Sequence, residues 1–541
     1  MSAVTGTARL VRLAVRRDRI KLLLWAFGMP AVAATVAGSV IGLYDSEQDR
    51  IGYASTTAAS VVARAFNGPA SGPSLGAVVV AEAYLTLALL AALLSTFTVV
   101  RHTRQNEETG RAELIGSAVV GRLAPLTAAL LVTVAANLVG GGLLALALIG
   151  VDLPAGGSVA FGAAIAGIGV ASAAIAAVTA QISGTARGAN GLAAAVVGIG
   201  FLLRAVGDAF GEVSADGLRV LSAWPSWLTP FGWANQVRPY DADRWWVLAL
   251  PVGLFGLTVA LAYRLTERRD LGSGLSPVRR GPAVAASGLL SPVGLAWRLQ
   301  RPTLIGWAVG VAVLGLAMGA LGDEVDDMLA DNATAVELMA QLGGAGALVD
   351  VFLSAMFSVF ALAIAGYAVQ AVLRLRSEEA SGAVEGVLAT AVSRWRWAAG
   401  HLLCAGLGTL GLLALAGAST GLSYGLISGD VLGELGRLTW AGLLQAPAAL
   451  ALAGLVVVLF GVLPRWSVPL GWAALLLCVL FGQLGEVLKL PQPVLNLSPF
   501  SHLPAVPADD PAATPVAVLL AVAAALTGLG LAAFRRRDLA A

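Results

Sequence analysis

The chain is almost without lysine, because Lys21 and Lys489 are the only two in 541 residues. A phosphate-binding P-loop requires Gly-Lys in front of Ser or Thr, since the lysine ammonium reaches the β- and γ-phosphates of the nucleotide. Ile20 and Leu488 precede the two lysines, so the sequence excludes this loop. Any ATP hydrolysis that drives this chain therefore takes place on another polypeptide, and no cofactor is predicted on the chain itself.

Cysteine and histidine are also scarce, with two cysteines and three histidines. Cys404 and Cys478 both fall inside apolar runs, which leaves no framework for disulfides or a structural zinc site. His102, His401 and His502 are scattered, and no Ser/His/Asp set or pair of carboxylates accompanies them. A catalytic metal centre is not predicted, and a membrane enzyme is the least favoured class of function.

Charged residues make up only 12% of the chain, about half the share of a typical soluble domain. Hydrophobic residues reach 58%, and the mean hydropathy is +0.82. Runs of about 20 apolar residues indicate membrane-spanning helices, because backbone polar groups in lipid must be satisfied within the segment. The sequence predicts an all-α membrane protein with twelve spans, at 22–43, 75–100, 124–150, 158–182, 190–207, 245–263, 303–321, 351–373, 397–427, 438–463, 467–487 and 514–534.

The distribution of arginine predicts the orientation in the membrane, because cytoplasmic loops are enriched in Lys and Arg. Most of the 34 basic residues lie before the first span, after the second and eighth spans, in the central connector and in the carboxyl tail. Acidic residues such as Asp45, Glu47 and Asp49 collect in the loops on the other side. Both termini are therefore predicted to be cytoplasmic. The lipid bilayer is a predicted partner and nucleic acid is not.

A charged segment at 104–122 occurs a second time at 376–394. The recurrence predicts two fused six-span units in parallel orientation, at 1–272 and 293–541, joined by a cytoplasmic linker at 273–292. Five residues of the segment keep their identity without a gap, namely Arg104 and Arg376, Glu107 and Glu379, Gly110 and Gly382, Glu113 and Glu385, and Arg122 and Arg394.

Three shorter motifs also occur once in each half. They are an opening R-x-x-R…W-x-x-G motif, a T/S-P-F turn before the last span of the half, and a closing R-R-D-L motif after that span. The opening motif begins at Arg16 and Arg298, the turn at Thr229 and Ser498, and the closing motif at Arg268 and Arg536.

Each charged segment is predicted to form a short amphipathic helix between the second and third spans of its unit. In the first copy Leu114 and Val119 gather on the apolar side, while Glu107 and Arg111 lie on the other side and can pair at i, i+4. Such a helix is either a solvated connector with internal salt bridges or a surface that docks a partner. Its recurrence favours a docking surface used twice, which suits a dimeric cytoplasmic partner.

The motifs, in this order and spacing, resemble those of type-2 ATP-binding-cassette (ABC) exporter permeases. The nearest resemblance is to the actinobacterial form with two fused six-span units, identified with export of polyketide antibiotics of the tetronasin type. The resemblance covers nearly the whole chain and implies a multi-pass protein of the bacterial cell membrane that moves a hydrophobic or amphipathic compound outwards. It also implies a homodimeric ATP-binding subunit, two chains to one permease, that binds ATP and Mg.

By the same resemblance the charged segments are coupling helices that contact or shape the partner interface and do not catalyse. The second copy departs from the first, because Ala380 and Ala383 replace Glu108 and Arg111. Equal engagement of two ATPase chains is therefore in doubt. The implied coupling residues are Arg104, Glu107, Glu108, Gly110, Arg111, Glu113 and Arg122 in the first copy and Arg376, Glu378, Glu379, Gly382, Glu385 and Arg394 in the second.

A few ionisable residues lie within or at the ends of the predicted spans, where a charge is costly. Glu82 is either a protonated or interface-solvated side chain, or it contributes to a substrate path or to proton coupling; Ser354 is its counterpart in the second half. Arg204 and Asp208 lie one turn apart and can pair, and Glu486 occupies a position like that of Asp208. These three are predicted to anchor the chain where it leaves the bilayer, with gating as the alternative.

Two further classes of function stay open on the sequence. A proton-driven secondary multidrug transporter of 6+6 architecture shares the predicted plan, but its Asp-Arg and Gly-Arg-Arg loop pattern is missing and Glu82 is nearly alone in the spans. A membrane scaffold without transport requires only a packed bundle. Transport by reconstituted protein separates the scaffold from the transporters, and dependence on ATP or on a proton gradient separates the two transporters.

Overall fold

The computed structural model describes residues 2–276, 283–330, 345–484, 491–509 and 511–538. The chain divides into two compact units, Met1–Gly281 and Pro282–Ala541. Regular structure in the described ranges is helical apart from one antiparallel pair of short strands, β1 (Glu212–Val213) and β2 (Val220–Leu221). The predicted boundaries at 272 and 293 stay predictions.

The first unit is a bundle in which long Ala- and Gly-rich runs form the spanning helices, and shorter helices lie in the connections. Two 3-10 helices, Trp224–Leu228 and Trp245–Leu248, lie in the connection before the last spanning helix of this unit. The described α-helices are α1 (Thr7–Leu43), α2 (Glu47–Ala59), α3 (Val61–Phe66), α4 (Leu75–His102), α5 (Arg104–Glu108), α6 (Arg111–Gly116), α7 (Ala124–Ile149), α8 (Ala155–Ile182), α9 (Ala186–Ala209), α10 (Pro230–Gln236) and α11 (Ala249–Arg268).

Helix α1 begins at Thr7, well before the predicted start of the first span at residue 22. The intervening arginines, leucines and alanines are good helix formers, so the basic stretch continues the helix in place of a loop. Asp18 on this extension is 2% exposed, and its carboxylate lies 3.1 Å from Arg101 and 2.5 Å from His102 at the end of α4. These contacts fix the beginning of α1 against the end of α4.

Small residues bring spanning helices close together in both units. Gly141 of α7 faces Gly162 of α8, and a Cβ atom on either one would collide with the backbone carbonyl of the other. A similar close approach brings Gly461 against Gly530 in the second unit. Small residues at helix contacts are typical of packing in a bilayer, where no hydrophobic force drives helices together.

The second unit also consists of long helices with shorter ones between them. A 3-10 helix at Ser287–Leu290 precedes the first of them, and another at Pro499–His502 precedes the last. The described α-helices are α12 (Pro292–Ala330), α13 (Ala345–Val372), α14 (Arg374–Ala380), α15 (Ala383–Leu388), α16 (Arg394–Ser428), α17 (Val431–Leu444), α18 (Ala446–Val462), α19 (Ser467–Leu484), α20 (Gln492–Leu495) and α21 (Ala513–Arg536).

Among the described residues, eleven helical stretches are long and apolar enough to cross a membrane, so the chain is a multi-pass membrane protein. The tenth predicted span consists of α17 and α18, which meet at Gln445 ahead of Pro447. The eleventh predicted span, 467–487, corresponds to the shorter apolar stretch Ser467–Gly482 and runs beyond Leu484 into residues outside the description. A total of twelve spans stays a prediction.

The charged segments are attached to spanning helices that are among the most buried of their units. In the first unit α4 and α8 are the most enclosed, and in the second unit α13 and the α17–α18 stretch are. Each charged segment follows directly on α4 or α13. It is therefore attached to the interior of its unit, and we refer to the end of each unit that carries it as the charged end.

Candidate functional site

The charged segments do not form the single amphipathic helices that the sequence predicted. In the first unit α5 and α6 flank Gly110, whose φ is 70°, and in the second unit α14 and α15 flank Gly382, whose φ is 72°. A positive φ is readily adopted by glycine and ends a right-handed helix. Leu114 lies on α6, whereas Val119 lies beyond its end at Gly116. Both segments are thus pairs of short helices with a glycine bend.

Glu107 is the centre of an ion-pair network in the first unit. Its carboxylate accepts hydrogen bonds from Arg269 at 2.6 and 2.8 Å, from Arg104 at 2.8 Å and from the backbone N–H of Gly272 at 3.2 Å. The Glu107 side chain is 10% exposed. The predicted i, i+4 pair with Arg111 is wrong, because Arg104 and Arg269 already surround this carboxylate.

Glu379 has the same role in the second unit. Arg537 donates to its two carboxylate oxygens at 2.6 and 2.8 Å, and Arg376 lies 3.7 Å away. The Glu379 side chain is 1% exposed. Glu107 and Glu379, which the sequence assigned to a partner interface, are therefore directed into their own units.

The arginines that hold these glutamates come from the closing R-R-D-L motif, and the sequence reasoning missed this. Arg269 and Arg537 are each the second arginine of that motif. Their backbone carbonyls also accept hydrogen bonds from Arg122 at 2.6 Å and from Arg394 at 2.7 Å. The recurrence of R-R-D-L in both halves was the signal that could have linked it to the charged segment, because two motifs that recur together are candidates for contact.

Arg104 is fully buried and binds the interior of the first unit. Its guanidinium donates to the carbonyl of Ala180 in α8 at 2.9 and 2.5 Å and to the carbonyl of Ser273 at 2.9 Å. In the second unit a neighbouring arginine, Arg374, pairs with Glu378 at 2.6 Å. Arg104 is thus a structural residue that ties the segment to α8.

Glu108 connects the first segment to a further spanning helix. One of its carboxylate oxygens accepts a hydrogen bond from the backbone N–H of Ala186, at the amino end of α9, at 2.8 Å. A carboxylate at this position also interacts favourably with the helix dipole. Ala380 replaces Glu108 in the second unit, so this connection belongs to the first unit alone.

After the glycine bend each segment is largely exposed. Arg111, Glu113 and Leu114 are exposed in the first unit, with Leu114 at 76%, and Ala383 and Glu385 are exposed in the second. Within the described ranges the Glu113 and Glu385 carboxylates form no ion pair or hydrogen bond. These two glutamates are therefore the carboxylates of the segments that are free to meet another molecule.

The two units differ in what lies beneath α6 and α15. In the first unit a cavity of about 330 Å³ lies beside α6, lined by Ile115, Pro125, Gln181 and Thr266 among others. The second unit has an aromatic cluster beneath α15, formed by Trp397, Phe460 and Phe534, which packs with Leu375 and Val384. The ring of Phe534 lies 5.8 Å from that of Trp397 and 5.1 Å from that of Phe460. Arg537 lies over Phe460 and Phe534, at 5.0 and 5.1 Å.

Glu82 is exposed on α4 and accepts a hydrogen bond from the Tyr53 hydroxyl at 2.6 Å. Burial, together with the Glu82 carboxylate, raises the pKa of Tyr53, so this hydroxyl stays protonated and donates. Tyr53 lies on α2, which belongs to the connection before α4. Glu82 thus links this connection to the second spanning helix.

Arg204 and Asp208 form the predicted pair, with 3.3 Å between nitrogen and oxygen and no exposed side-chain surface on either residue. Arg204 also donates to the carbonyls of Ala65 and Phe66, and Asp208 accepts from Ser226 at 3.1 Å. The pair therefore ties α9 to α3, in the connection before α4, and to the connection that follows α9; its role as an anchor or in gating stays a prediction. Glu486, the residue predicted to correspond to Asp208, lies outside the described residues.

Comparison with known proteins places this arrangement in a family. The family model described as "Multidrug efflux system permease Rv1217c, C-terminal domain" matches residues 8–264 and 289–535. The chain is 43% identical over 540 residues to the "Multidrug efflux system permease protein Rv1217c" of Mycobacterium tuberculosis, covering 99% of this chain and 96% of that protein. The two matched stretches contain both charged segments.

Proposed function

The chain belongs to the multidrug efflux system permease family of Rv1217c, and from this premise we propose that it is the membrane-spanning subunit of an ATP-driven ABC exporter. Its cargo is a hydrophobic or amphipathic compound, of the kind found among drugs and antibiotics, which it moves outwards. ATP and Mg are bound, and ATP is hydrolysed, on a separate subunit. The protein lies in the bacterial cell membrane with both termini in the cytoplasm.

One observation carries the proposal: both units hold a bent, charged segment internally and leave one glutamate of it unpaired. Glu107 and Glu379 fix the segments to Arg269 and Arg537, which directly follow α11 and α21. A surface that transmits force must be joined firmly to the helices that it moves. The free carboxylates of Glu113 and Glu385 are available for a partner, whereas a mere connector does not require the same bracing in both units.

The contacts suggest how movement of a segment reaches the spanning helices. In the first unit a displacement of α5 acts on α8 through Arg104, on α9 through Glu108 and on the end of α11 through Glu107. Buried charge-assisted hydrogen bonds are directional and costly to break, so they transmit displacement rather than absorb it. Closure of an ATP-binding dimer against the segments would in this way change the packing of three spanning helices.

Two segments in one chain suit a homodimeric ATPase, with two ATPase chains to one permease. The replacement of Glu108 and Arg111 by Ala380 and Ala383 removes charge from the second segment. We therefore expect the two ATPase chains to bind with different strength. The sequence without a P-loop supports the assignment of hydrolysis to the partner.

Co-purification in detergent with a co-expressed ABC ATPase subunit from the same organism tests the proposal. The charge reversals Glu113→Arg and Glu385→Arg are expected to reduce retention of the ATPase and to uncouple its activity from transport, while insertion and thermal stability stay unchanged. The matched control is Glu212→Arg, an exposed glutamate on β1, away from the charged segments. Wild-type transport in both reversal variants would refute the role of the segments.

A proton-driven secondary multidrug transporter is the second candidate function, and Glu82 is the observation that favours it. Acidic residues within spans are rare and often belong to the proton pathway of a transporter, and Glu82 lies within a predicted span, where it accepts a hydrogen bond from the Tyr53 hydroxyl. Vesicles that export cargo under a pH gradient alone, in the absence of any ATP-binding subunit, would replace the ABC proposal by this one.

A further inference from the structure

A large open cavity lies among the described residues of the second unit, at the end opposite its charged end. Its volume is about 800 Å³, within the range of ligand pockets in general. Helix α21 begins at this cavity with Thr514 and Pro515 and ends beside Arg537 at the charged end. The walls come from α18, α19 and α21 and include Leu452, Leu455, Leu477, Phe481, Leu519 and Val522.

The corresponding place in the first unit is filled. The T-P-F turn there leads into α10, and Trp233 and Val237 of this helix pack against α8 and the beginning of α11, leaving a gap of about 10 Å³. In the second unit the S-P-F turn leads only into the 3-10 helix Pro499–His502, and no aromatic helix follows it in the described residues up to 509. The open cavity is therefore a consequence of the different chain after the repeated turn.

The mouth of the cavity is polar but carries no charged side chain among its lining residues. His502 Nε2 lies 2.9 Å from the backbone oxygen of Asn496. A carbonyl oxygen only accepts, so Nε2 carries the proton, and in the neutral ring Nδ1 is left as an acceptor. The Asn496 side-chain oxygen accepts from Gln492 at 3.1 Å, which leaves its NH₂ group as a donor. The rim thus offers an acceptor on His502, a donor on Asn496 and the hydroxyl of Thr514.

We propose that this cavity binds a neutral, mostly apolar small molecule whose polar group pairs with Asn496 and His502, and that it is a cargo site of the permease. The second half of this statement rests on the proposed function. Apolar walls favour an apolar body, and a rim of neutral donors and acceptors favours a polar group without charge. Among the described residues the rim has no charged side chain that could pair with a phospholipid headgroup, so a neutral compound is the better occupant.

A binding assay on the purified chain in lipid nanodiscs, without ATPase or ATP, tests the cavity itself. The probe is Nile red, a neutral lipophilic dye, and the signal from empty nanodiscs is subtracted. Ala474 lines the cavity and Ala473, its neighbour on α19, is exposed outside it. Ala474→Trp is expected to weaken saturable binding by about tenfold or more, and the matched control Ala473→Trp is expected to leave it unchanged.

A second pair of variants guards against misfolding of the first. Val522 lines the opposite wall on α21, whereas Leu520 on the same helix does not line the cavity. Val522→Trp is expected to behave like Ala474→Trp, and Leu520→Trp like the native chain. The absence of saturable binding to the native chain, or binding to both filling variants that is as strong as to the native chain, would overturn the proposal.

Cys478 provides an independent readout because it also lines the cavity. With Cys404→Ser as background, Nile red is expected to slow modification of Cys478 by N-ethylmaleimide. Protection by lipid alone, seen as slow modification in nanodiscs and fast modification in lipid-free amphipol with no effect of the dye, would assign the cavity to an acyl chain and overturn the proposal.

The outcomes separate this proposal from the proposed function. Dye binding that persists in a chain without ATP-driven transport would leave the cavity standing and remove the exporter mechanism. ATP-driven transport of Nile red that is unaffected by Ala474→Trp and Val522→Trp would leave the exporter standing and remove the cavity as a cargo site.

Discussion

The charged ends of the two units hold equivalent glutamates by different means. In the first unit Arg269 reaches Glu107 within a polar network, in which Gln181 accepts from Arg269 at 2.7 Å. In the second unit Arg537 reaches Glu379 while its guanidinium lies over two aromatic rings. The same ion pair is thus supported by hydrogen bonds in one unit and by ring faces in the other.

The supports differ because large residues in the second unit replace small or polar ones in the first. In the register of the charged segments Trp397 takes the place of Pro125, and in that of the closing motifs Phe534 takes the place of Thr266. The result is a cavity beside α6 and a packed cluster beneath α15. Atoms that border a void lose contacts on that side, so α6 is expected to be displaced more easily than α15.

Removal of the central glutamates gives the largest expected effect. Glu107→Ala leaves the buried Arg104 and Arg269 without their counter-charge, which costs about 3–5 kcal/mol. Glu379→Ala does the same to the partly exposed Arg537 at a smaller cost. Glu107→Ala is expected to be the more severe, because Arg104 and Arg269 are then left close together in the interior. The thermal unfolding temperature of the purified chain measures this order, and equal temperatures for Glu107→Ala and the native chain would contradict the network.

Removal of a ring from the aromatic cluster is expected to have the second-largest effect. Phe534→Ala is expected to cost about 3–5 kcal/mol, because Phe534 is 1% exposed and touches two other rings. The matched change in the first unit, Thr266→Ala, borders a cavity and is expected to cost less than about 1 kcal/mol. Unfolding temperatures that fall by the same amount in both variants would contradict the difference in packing between the two charged ends.

Filling the cavity of the first unit sharpens the comparison. Thr266→Phe introduces the residue of the second unit into a cavity of about 330 Å³, so stability is expected to change by less than about 1 kcal/mol. Under the proposed function this variant makes α6 less displaceable and lowers cargo-stimulated ATPase activity. Thr258→Phe, on the same helix but away from the cavity, is the control; if both variants leave ATPase stimulation unchanged, the cavity has no part in coupling.

Glu82→Gln is expected to have the smallest effect. The glutamine carbonyl still accepts a hydrogen bond from Tyr53, so the change in stability is expected to stay below about 1 kcal/mol. Export is expected to slow less than in Glu113→Arg or Glu385→Arg. A complete loss of export, measured in vesicles under a pH gradient, would favour proton coupling and would make Glu82 the difference between the units that matters most.

Several features of the charged ends were predictable from local sequence patterns, and others were not. The segments follow α4 and α13, the second and eighth predicted spans, as the pattern of apolar runs indicates. The proximity of Arg204 to Asp208 follows from spacing along one helix. The partner of Glu107 did not follow, because a nearby Arg111 satisfied the same rule while the actual partner, Arg269, lies 162 positions away. The bend at Gly110 could not be predicted from the helix pattern either, since a glycine is compatible with a continuous helix and with a bend between two helices.

The sequence by itself determined the class of this protein and the types of residue available at its candidate site. Apolar runs specify spanning helices because unpaired backbone groups are not tolerated in lipid, and the scarcity of lysine excludes a P-loop. Only the tertiary structure decided which glutamates face inwards and which face outwards. It also decided that a cavity lies beside α6 and an aromatic cluster beneath α15, and that a large cavity opens in the second unit. Those properties depend on residues far apart in the chain, and packing between helices decides which of them meet.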